Sequence, residues 1–114
     1  MTDHTAARVA ENEATFRESN ELIKGAAAEY GLRHQLPFIC ECSNPACTEI
    51  VRMEAAAYER LRSNPRHFVN APGHERAAGP HVVVIEQHDG YDVVEKVGEA
   101  AEIVTELDPR RARK

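Results

Sequence analysis

All three cysteines of this chain lie within eight positions, in the stretch FICECSNPACTEI. Cys40, Cys42 and Cys47 follow the spacing C-x-C-x4-C, and clustered thiolates are soft ligands that favour zinc or an iron–sulfur cluster. Residues two apart in an extended segment face the same side, so Cys40 and Cys42 can reach one ion. The turn-forming pair Asn44-Pro45 then brings Cys47 back toward them. The spacing therefore predicts a compact loop, the cysteine knuckle (residues 40–47), that supplies three sulfur ligands.

A tetrahedral zinc site needs a fourth ligand, and the cysteine count leaves that position to a histidine or to water. The chain has six histidines. His74 is favoured because it follows Pro72-Gly73, a tight bend from which an imidazole can project. His67, His81 and His34 stay open as alternatives, as does an open position filled by water. The prediction is about one zinc ion per chain, with the ligands Cys40, Cys42, Cys47 and His74.

Two other interpretations of the cysteines stay open. Free cysteine often behaves as a small buried hydrophobic residue, so the three thiols could simply pack in the core. A pair of them could also form a disulfide and act as a thiol-based redox sensor. An odd number of cysteines cannot pair fully within one chain, and reduced thiols in a cytosolic protein favour metal binding over a disulfide framework. An iron–sulfur cluster normally takes four cysteines, so zinc is preferred.

A small zinc enzyme would need an open coordination position and a general base. Glu41, between two of the cysteines, and Glu75, next to His74, are the obvious carboxylates. The chain lacks the H-x-E and P-C-x-x-C pattern of zinc deaminases, the H-E-x-x-H of metalloproteases and a glycine-rich phosphate loop. Both glutamates are therefore expected to be solvated or paired with arginines such as Arg76, and the absence of these motifs favours a chain with no catalytic residues.

Composition limits the remaining function classes. The 114 residues fit one small domain, and their net charge of −5 argues against a general nucleic-acid coat. Arg62, Arg66, Arg76 and the basic tail RRARK leave nucleic-acid binding as an alternative that is not favoured. No apolar run has the length of a membrane span, and the acidic first residues do not resemble a signal peptide, so a cytoplasmic location is expected. With no tryptophan and few other aromatic residues, a small core would benefit from a bound metal.

The first third of the chain predicts one long helix over about residues 6–30. Val9, Phe16, Ile23 and Tyr30 recur every seven residues and form a narrow apolar stripe, and Gly31 is a natural helix stop. A narrow stripe on a charged helix must pack on the rest of the domain or on a partner. We therefore expect either core packing or a protein partner, self-association included, at this helix.

The rest of the chain predicts a zinc-binding α+β core over about residues 36–108 and a basic, disordered tail at 109–114. Short strands are expected at Phe38-Ile39 and Ile50-Val51, on the two sides of the cysteine knuckle. Asp89-Gly90 between valine-rich runs is a strong hairpin signal. Short helices are expected over residues 54–62 and 98–108. The fold class is thus α+β, with the whole chain, 1–114, as a single domain.

The motifs also resemble those of a group of small, mainly actinobacterial proteins without an established activity. The features in common are the C-E-C…C cluster, a Y-E-x-x-R helix, a P-x-x-F segment, the G-H-E turn and a V-V-E-K strand, over about residues 8–110. The resemblance implies that Cys40, Cys42 and Cys47 act with His74, since these match the cysteine cluster and the G-H-E turn. One departure is Met53 and the alanines that follow, where such sequences often have a Thr or Ser helix cap.

These observations predict a small cytosolic zinc-binding protein with a structural Cys3His site, acting as an interaction or regulatory module. A four-ligand site stabilises a fold and leaves no position for a substrate. A thiol-based redox sensor or a small zinc enzyme is the alternative.

Overall fold

The computed structural model describes residues 5–112, whose helices and small sheets form an α+β fold as predicted. Two clusters of buried residues make up its core. One surrounds the cysteine knuckle, and the other lies between the long helix, a three-stranded sheet and the C-terminal helix. None of the helices in residues 5–112 combines the length and apolarity that a bilayer crossing requires.

Helix α1 covers Ala6–Glu29, close to the predicted bounds. Thr5 caps its first turn, because its hydroxyl accepts a hydrogen bond from the backbone N–H of Arg8 at 3.2 Å. Gly31, with a φ of 71°, ends the helix in the left-handed conformation that glycine tolerates best. The helix is therefore bounded at both ends by local signals that the sequence carries.

The buried side of α1 differs from the predicted stripe. Val9 is buried, but Tyr30 is 80% exposed, and charged or polar side chains take the central buried positions. Glu13 forms a fully buried ion pair with Lys96, while Arg17 donates hydrogen bonds to the carbonyl oxygens of Pro65 and Val104. The stripe was wrong at Tyr30, whereas Ile23 packs against the buried cluster around the cysteine knuckle. Polar contacts to the sheet and to the last helix set the orientation of α1.

Two small sheets follow. Strands β1 (Leu36–Ile39) and β2 (Ile50–Met53) pair antiparallel, with Phe38 opposite Val51, and enclose the cysteine knuckle as expected. Helix α2 covers Ala55–Leu61. Strand β3 (His67–Asn70), which the sequence analysis missed, joins the hairpin strands β4 (Val82–His88) and β5 (Tyr91–Lys96) in the order β3-β5-β4.

The remaining segments connect and close these sheets. A 3-10 helical segment, His74–His81, links β3 to β4. Helix α3 covers Gly98–Glu106 and packs on α1. The predicted disordered tail is wrong for Pro109–Ala112, which form a short 3-10 helix, and residues 113–114 lie outside the described part. The sequence of elements thus brings the loop after β1 and the bend after β3 to the same side of the domain.

Candidate metal centre

The cysteine knuckle is shaped by backbone hydrogen bonds at its two ends. The N–H of Cys40 donates to the carbonyl of Glu49 at 3.0 Å, which extends the β1–β2 pairing by one step. The side-chain oxygen of Asn44 accepts a hydrogen bond from the N–H of Ala46 at 3.0 Å. The backbone carbonyl of Asn44 accepts a hydrogen bond from the N–H of Cys47, also at 3.0 Å. This Asx turn reverses the chain and returns Cys47 to the other two sulfurs.

His74 comes from a different part of the fold. Strand β3 ends at Asn70, and the chain bends at Gly73, whose φ of 85° suits glycine. The N–H of His74 donates to the carbonyl of Ala71 at 3.0 Å, and the 3-10 segment begins there. The bend expected from Pro72-Gly73 thus presents the imidazole, while β3 fixes where the bend lies.

The four ligand atoms of Cys40, Cys42, Cys47 and His74 all lie within 4.8 Å of one another. The Nδ1 atom of His74 is 3.6 Å from the Sγ of Cys40 and 3.5 Å from the Sγ of Cys47. Zinc–sulfur bonds near 2.3 Å and zinc–nitrogen bonds near 2.0–2.1 Å at a tetrahedral angle require S···N separations of about 3.5 Å. The donor set and these two distances therefore fit a tetrahedral zinc ion.

The other histidines named from the sequence lie elsewhere. His34 pairs with Glu54, and His67 pairs with Glu95 across the sheet at 2.9 Å. His81 ends the 3-10 segment, eight residues long, that His74 begins. Among residues 5–112, the group that could hold a metal ion contains His74 and no other histidine.

The three sulfurs differ in exposure and in protonation. Cys40 and Cys42 are each 1% exposed, whereas Cys47 is partly exposed. A hydrogen bond from the Cys40 thiol lowers the pKa of Cys42 to about 5, and the same bond raises the pKa of Cys40. The backbone N–H of Ala71 also donates to the Sγ of Cys40 at 3.1 Å. A thiolate is thus favoured in this cluster, and thiolates are the form that binds zinc.

Glu41 corrects one expectation from the sequence. It is fully buried rather than solvated or paired with an arginine. Its carboxylate accepts hydrogen bonds from the Asn20 amide at 2.8 Å, the Tyr58 hydroxyl at 2.5 Å and the Val69 N–H at 3.0 Å. Burial raises its pKa, and these three donors oppose that effect. Glu41 therefore links the cysteine knuckle to α1, α2 and β3 by hydrogen bonds, a role that no local sequence signal predicts.

Glu75, the other carboxylate near the ligands, makes no comparable set of contacts. Its Oε1 atom is buried without a hydrogen-bond partner. In the described part of the chain, no ion pair joins it to Arg76. Its expected pairing with that arginine is therefore not found.

The arginines considered for nucleic-acid binding are partly engaged within the chain. Arg62 is buried between Asp108 and Glu21, with a contact of 2.5 Å to each. Arg110 forms ion pairs with Glu21 and Glu59, each at 2.8 Å. These two positive charges connect α1, α2 and the C-terminal segment.

Comparison with known proteins adds no family assignment. No protein-family model, no curated protein and no solved structure matches the chain. The resemblance to the actinobacterial group therefore stays a prediction, and the metal site is supported by the four residues and their geometry.

Proposed function

We propose that Cys40, Cys42, Cys47 and His74 bind one zinc ion in a closed, structural Cys3His site. One observation carries this proposal: the four ligand atoms converge within 4.8 Å although they come from two separate segments of the fold. Four protein ligands leave no coordination position for a substrate, which favours a structural role over catalysis. When bound, zinc would supply a cross-link between the β1–β2 pair and the end of β3.

This cross-link would help a fold of this size. Small domains bury a limited fraction of their surface, and a metal is one common way to compensate for that. Since a zinc site is seldom preformed in an unfolded chain, the binding free energy contributes to folding. We therefore propose that the zinc ion stabilises the fold and that surface residues of the domain carry the biological role.

We further propose that the domain is a cytosolic interaction or regulatory module that contacts a protein partner, or a second copy, through α1. Three apolar side chains near the C-terminal end of α1 support this proposal. Leu22 is 73% exposed, Tyr30 is 80% exposed and Leu32, just beyond the helix, is 57% exposed. Exposed apolar patches are typical of interaction surfaces, and these three are the large exposed apolar side chains of α1 and the turn that follows it. Sedimentation of the wild type and of Leu22→Ser over a range of concentrations tests self-association, which the substitution should weaken.

Metal analysis of the purified protein tests the zinc site directly. We expect about one zinc per chain for the wild type, as a single tetrahedral site requires. His74→Ala and Cys47→Ala should each lower zinc retention and the melting temperature together. His34→Ala is the matched control, because its exposed imidazole pairs only with Glu54 and should not affect the metal. Unchanged zinc affinity in His74→Ala would refute the assignment of the fourth ligand.

A further inference from the structure

We propose that Cys47 is the oxidation site of this centre, the sulfur that a peroxide oxidises first, with loss of the metal as the result. This inference rests on the zinc site proposed above and names its regulation. Cys40 and Cys42 are almost completely buried, whereas Cys47 is partly exposed on a turn whose neighbouring residues face solvent. A peroxide molecule approaching the domain therefore meets the sulfur of Cys47 first.

The surroundings of the sulfurs reinforce this difference. Cys40 and Cys42 belong to the buried cluster around Phe38 and Tyr58, while Cys47 only packs against its edge. The segment from Asn44 to Glu49 is exposed apart from Cys47 itself. Movement of Cys47 away from the ion thus disturbs a surface turn, whereas movement of the other two sulfurs would disturb the core.

The chemistry requires a peroxide as the oxidant and two sulfurs of the cluster. The thiolate of Cys47 attacks one peroxide oxygen, so an S–O bond forms, the O–O bond breaks, and the second oxygen leaves as hydroxide that takes a proton to become water. Cys47 is then a sulfenic acid, oxidised by two electrons, and the peroxide is reduced by two. The thiolate of Cys40 or Cys42, within 4.8 Å, attacks that sulfur; an S–S bond forms and hydroxide leaves, again becoming water.

The disulfide would remove two of the four ligands, and the two ligands that remain would no longer hold a zinc ion. The domain should nevertheless stay folded, because contacts independent of the metal hold the cysteine knuckle. Glu41 keeps its hydrogen bonds to Asn20, Tyr58 and Val69, and the N–H of Glu41 donates to the carbonyl of Val69 at 2.8 Å. Oxidation therefore frees the turn after Cys42 and the bend at His74, and a dithiol reductant reverses the change.

The test uses the zinc-loaded full chain treated with less than one equivalent of hydrogen peroxide. A chromogenic chelator follows zinc release, and a dione reagent traps sulfenic acid for mass spectrometry. We expect trapped Cys47 to exceed Cys40 and Cys42 by roughly tenfold, since accessible thiolates react first. The subsequent disulfide should include Cys47, and zinc binding should return after reduction. Equal labelling of the three cysteines, or a Cys40–Cys42 disulfide, would overturn the proposal.

A variant that keeps all four ligands provides an independent test. Asn44→Ala removes the side-chain hydrogen bond that closes the Cys47 turn, so zinc release by peroxide should accelerate roughly fivefold, the factor that one ordinary hydrogen bond contributes to a local equilibrium. Asn64→Ala is the matched control: Asn64 precedes a proline in another S-N-P turn and accepts the same kind of hydrogen bond, from Arg66 at 2.9 Å.

Equal acceleration in the two variants, or no change in Asn44→Ala, would refute the role of this turn. Metal content measured before oxidation separates the two proposals. A protein that binds no zinc contradicts the zinc site itself, whereas a zinc-loaded protein that is oxidised elsewhere contradicts only the inference about Cys47.

Discussion

Glu41→Gln tests whether a buried carboxylate holds the cysteine knuckle in place. The substitution keeps the size and shape of the side chain but replaces one oxygen with an NH2 group. In the native domain the two carboxylate oxygens accept hydrogen bonds from three donors, on Asn20, Tyr58 and Val69. In either orientation, the new amide nitrogen faces at least one N–H that has no other acceptor in this arrangement.

The magnitude follows from these donors. A buried donor left unpaired costs about 1–3 kcal/mol, and either orientation of the glutamine leaves one or two such groups. A neutral amide is less costly to bury than a carboxylate, which offsets part of the loss. We expect Glu41→Gln to lower the free energy of unfolding by about 2 kcal/mol. For a domain of this length, that corresponds to a fall of about 8 °C in melting temperature.

Chemical denaturation of the zinc-loaded and the chelator-treated protein measures the effect in both states. The matched control is Glu49→Gln, the same change at an exposed position two residues after Cys47, which should stay within about 0.5 kcal/mol of the wild type. Equal stability of Glu41→Gln and Glu49→Gln would show that the carboxylate does not hold the cysteine knuckle, and would refute the reasoning.

Three further substitutions test the bend at His74, helix α1 and the C-terminal ion pair. Gly73→Ala should destabilise the protein by about 1–2 kcal/mol and weaken zinc binding, because the φ of 85° strains alanine even though no atom blocks a new Cβ. Calorimetric zinc titration measures the affinity, and an unchanged affinity would contradict this expectation. Gly25→Ala, on an exposed helical position, should instead stabilise by about 0.5–1 kcal/mol, so a lower melting temperature would contradict the helix assignment. Burial by itself would raise the pKa of Asp108, but hydrogen bonds from Arg62 outweigh this effect and lower that pKa below its ordinary 3.8. The contribution of Asp108 to the free energy of unfolding is therefore fully present above pH 3.8 and is lost as the pH falls through the lower pKa of the folded state. Asp108→Asn should therefore cost about 2 kcal/mol at pH 7 and progressively less in acid, and denaturation curves that differ equally at pH 7 and pH 3 would refute this.

The sequence by itself determined the elements whose signals are local. The cap at Thr5 and the glycine at position 31 bound α1, and Asp89-Gly90 forms the turn of the β4–β5 hairpin as predicted. The C-x-C-x4-C spacing identified the cysteine cluster, because a short loop restricts how far apart its side chains can lie. Each of these features depends on residues within a few positions of one another.

Tertiary structure alone decided what depends on distant segments. Strand β3 was missed since its four residues have no turn or alternation signal, and it exists because β5 supplies its hydrogen-bond partners. The sequence favoured His74 over several other histidines, but the convergence of its imidazole with the sulfurs follows from where that strand ends.

The buried positions of Glu13, Arg17 and Glu41 have the same origin. Charged side chains are ordinarily expected at the surface, so their burial cannot be read from residue type. They are accommodated because donors and acceptors from other elements meet them inside the fold, as Lys96 meets Glu13. Spacing along the chain predicted which atoms could bind a metal, whereas only the packing of remote elements brought the fourth ligand and the supporting carboxylate to the sulfurs.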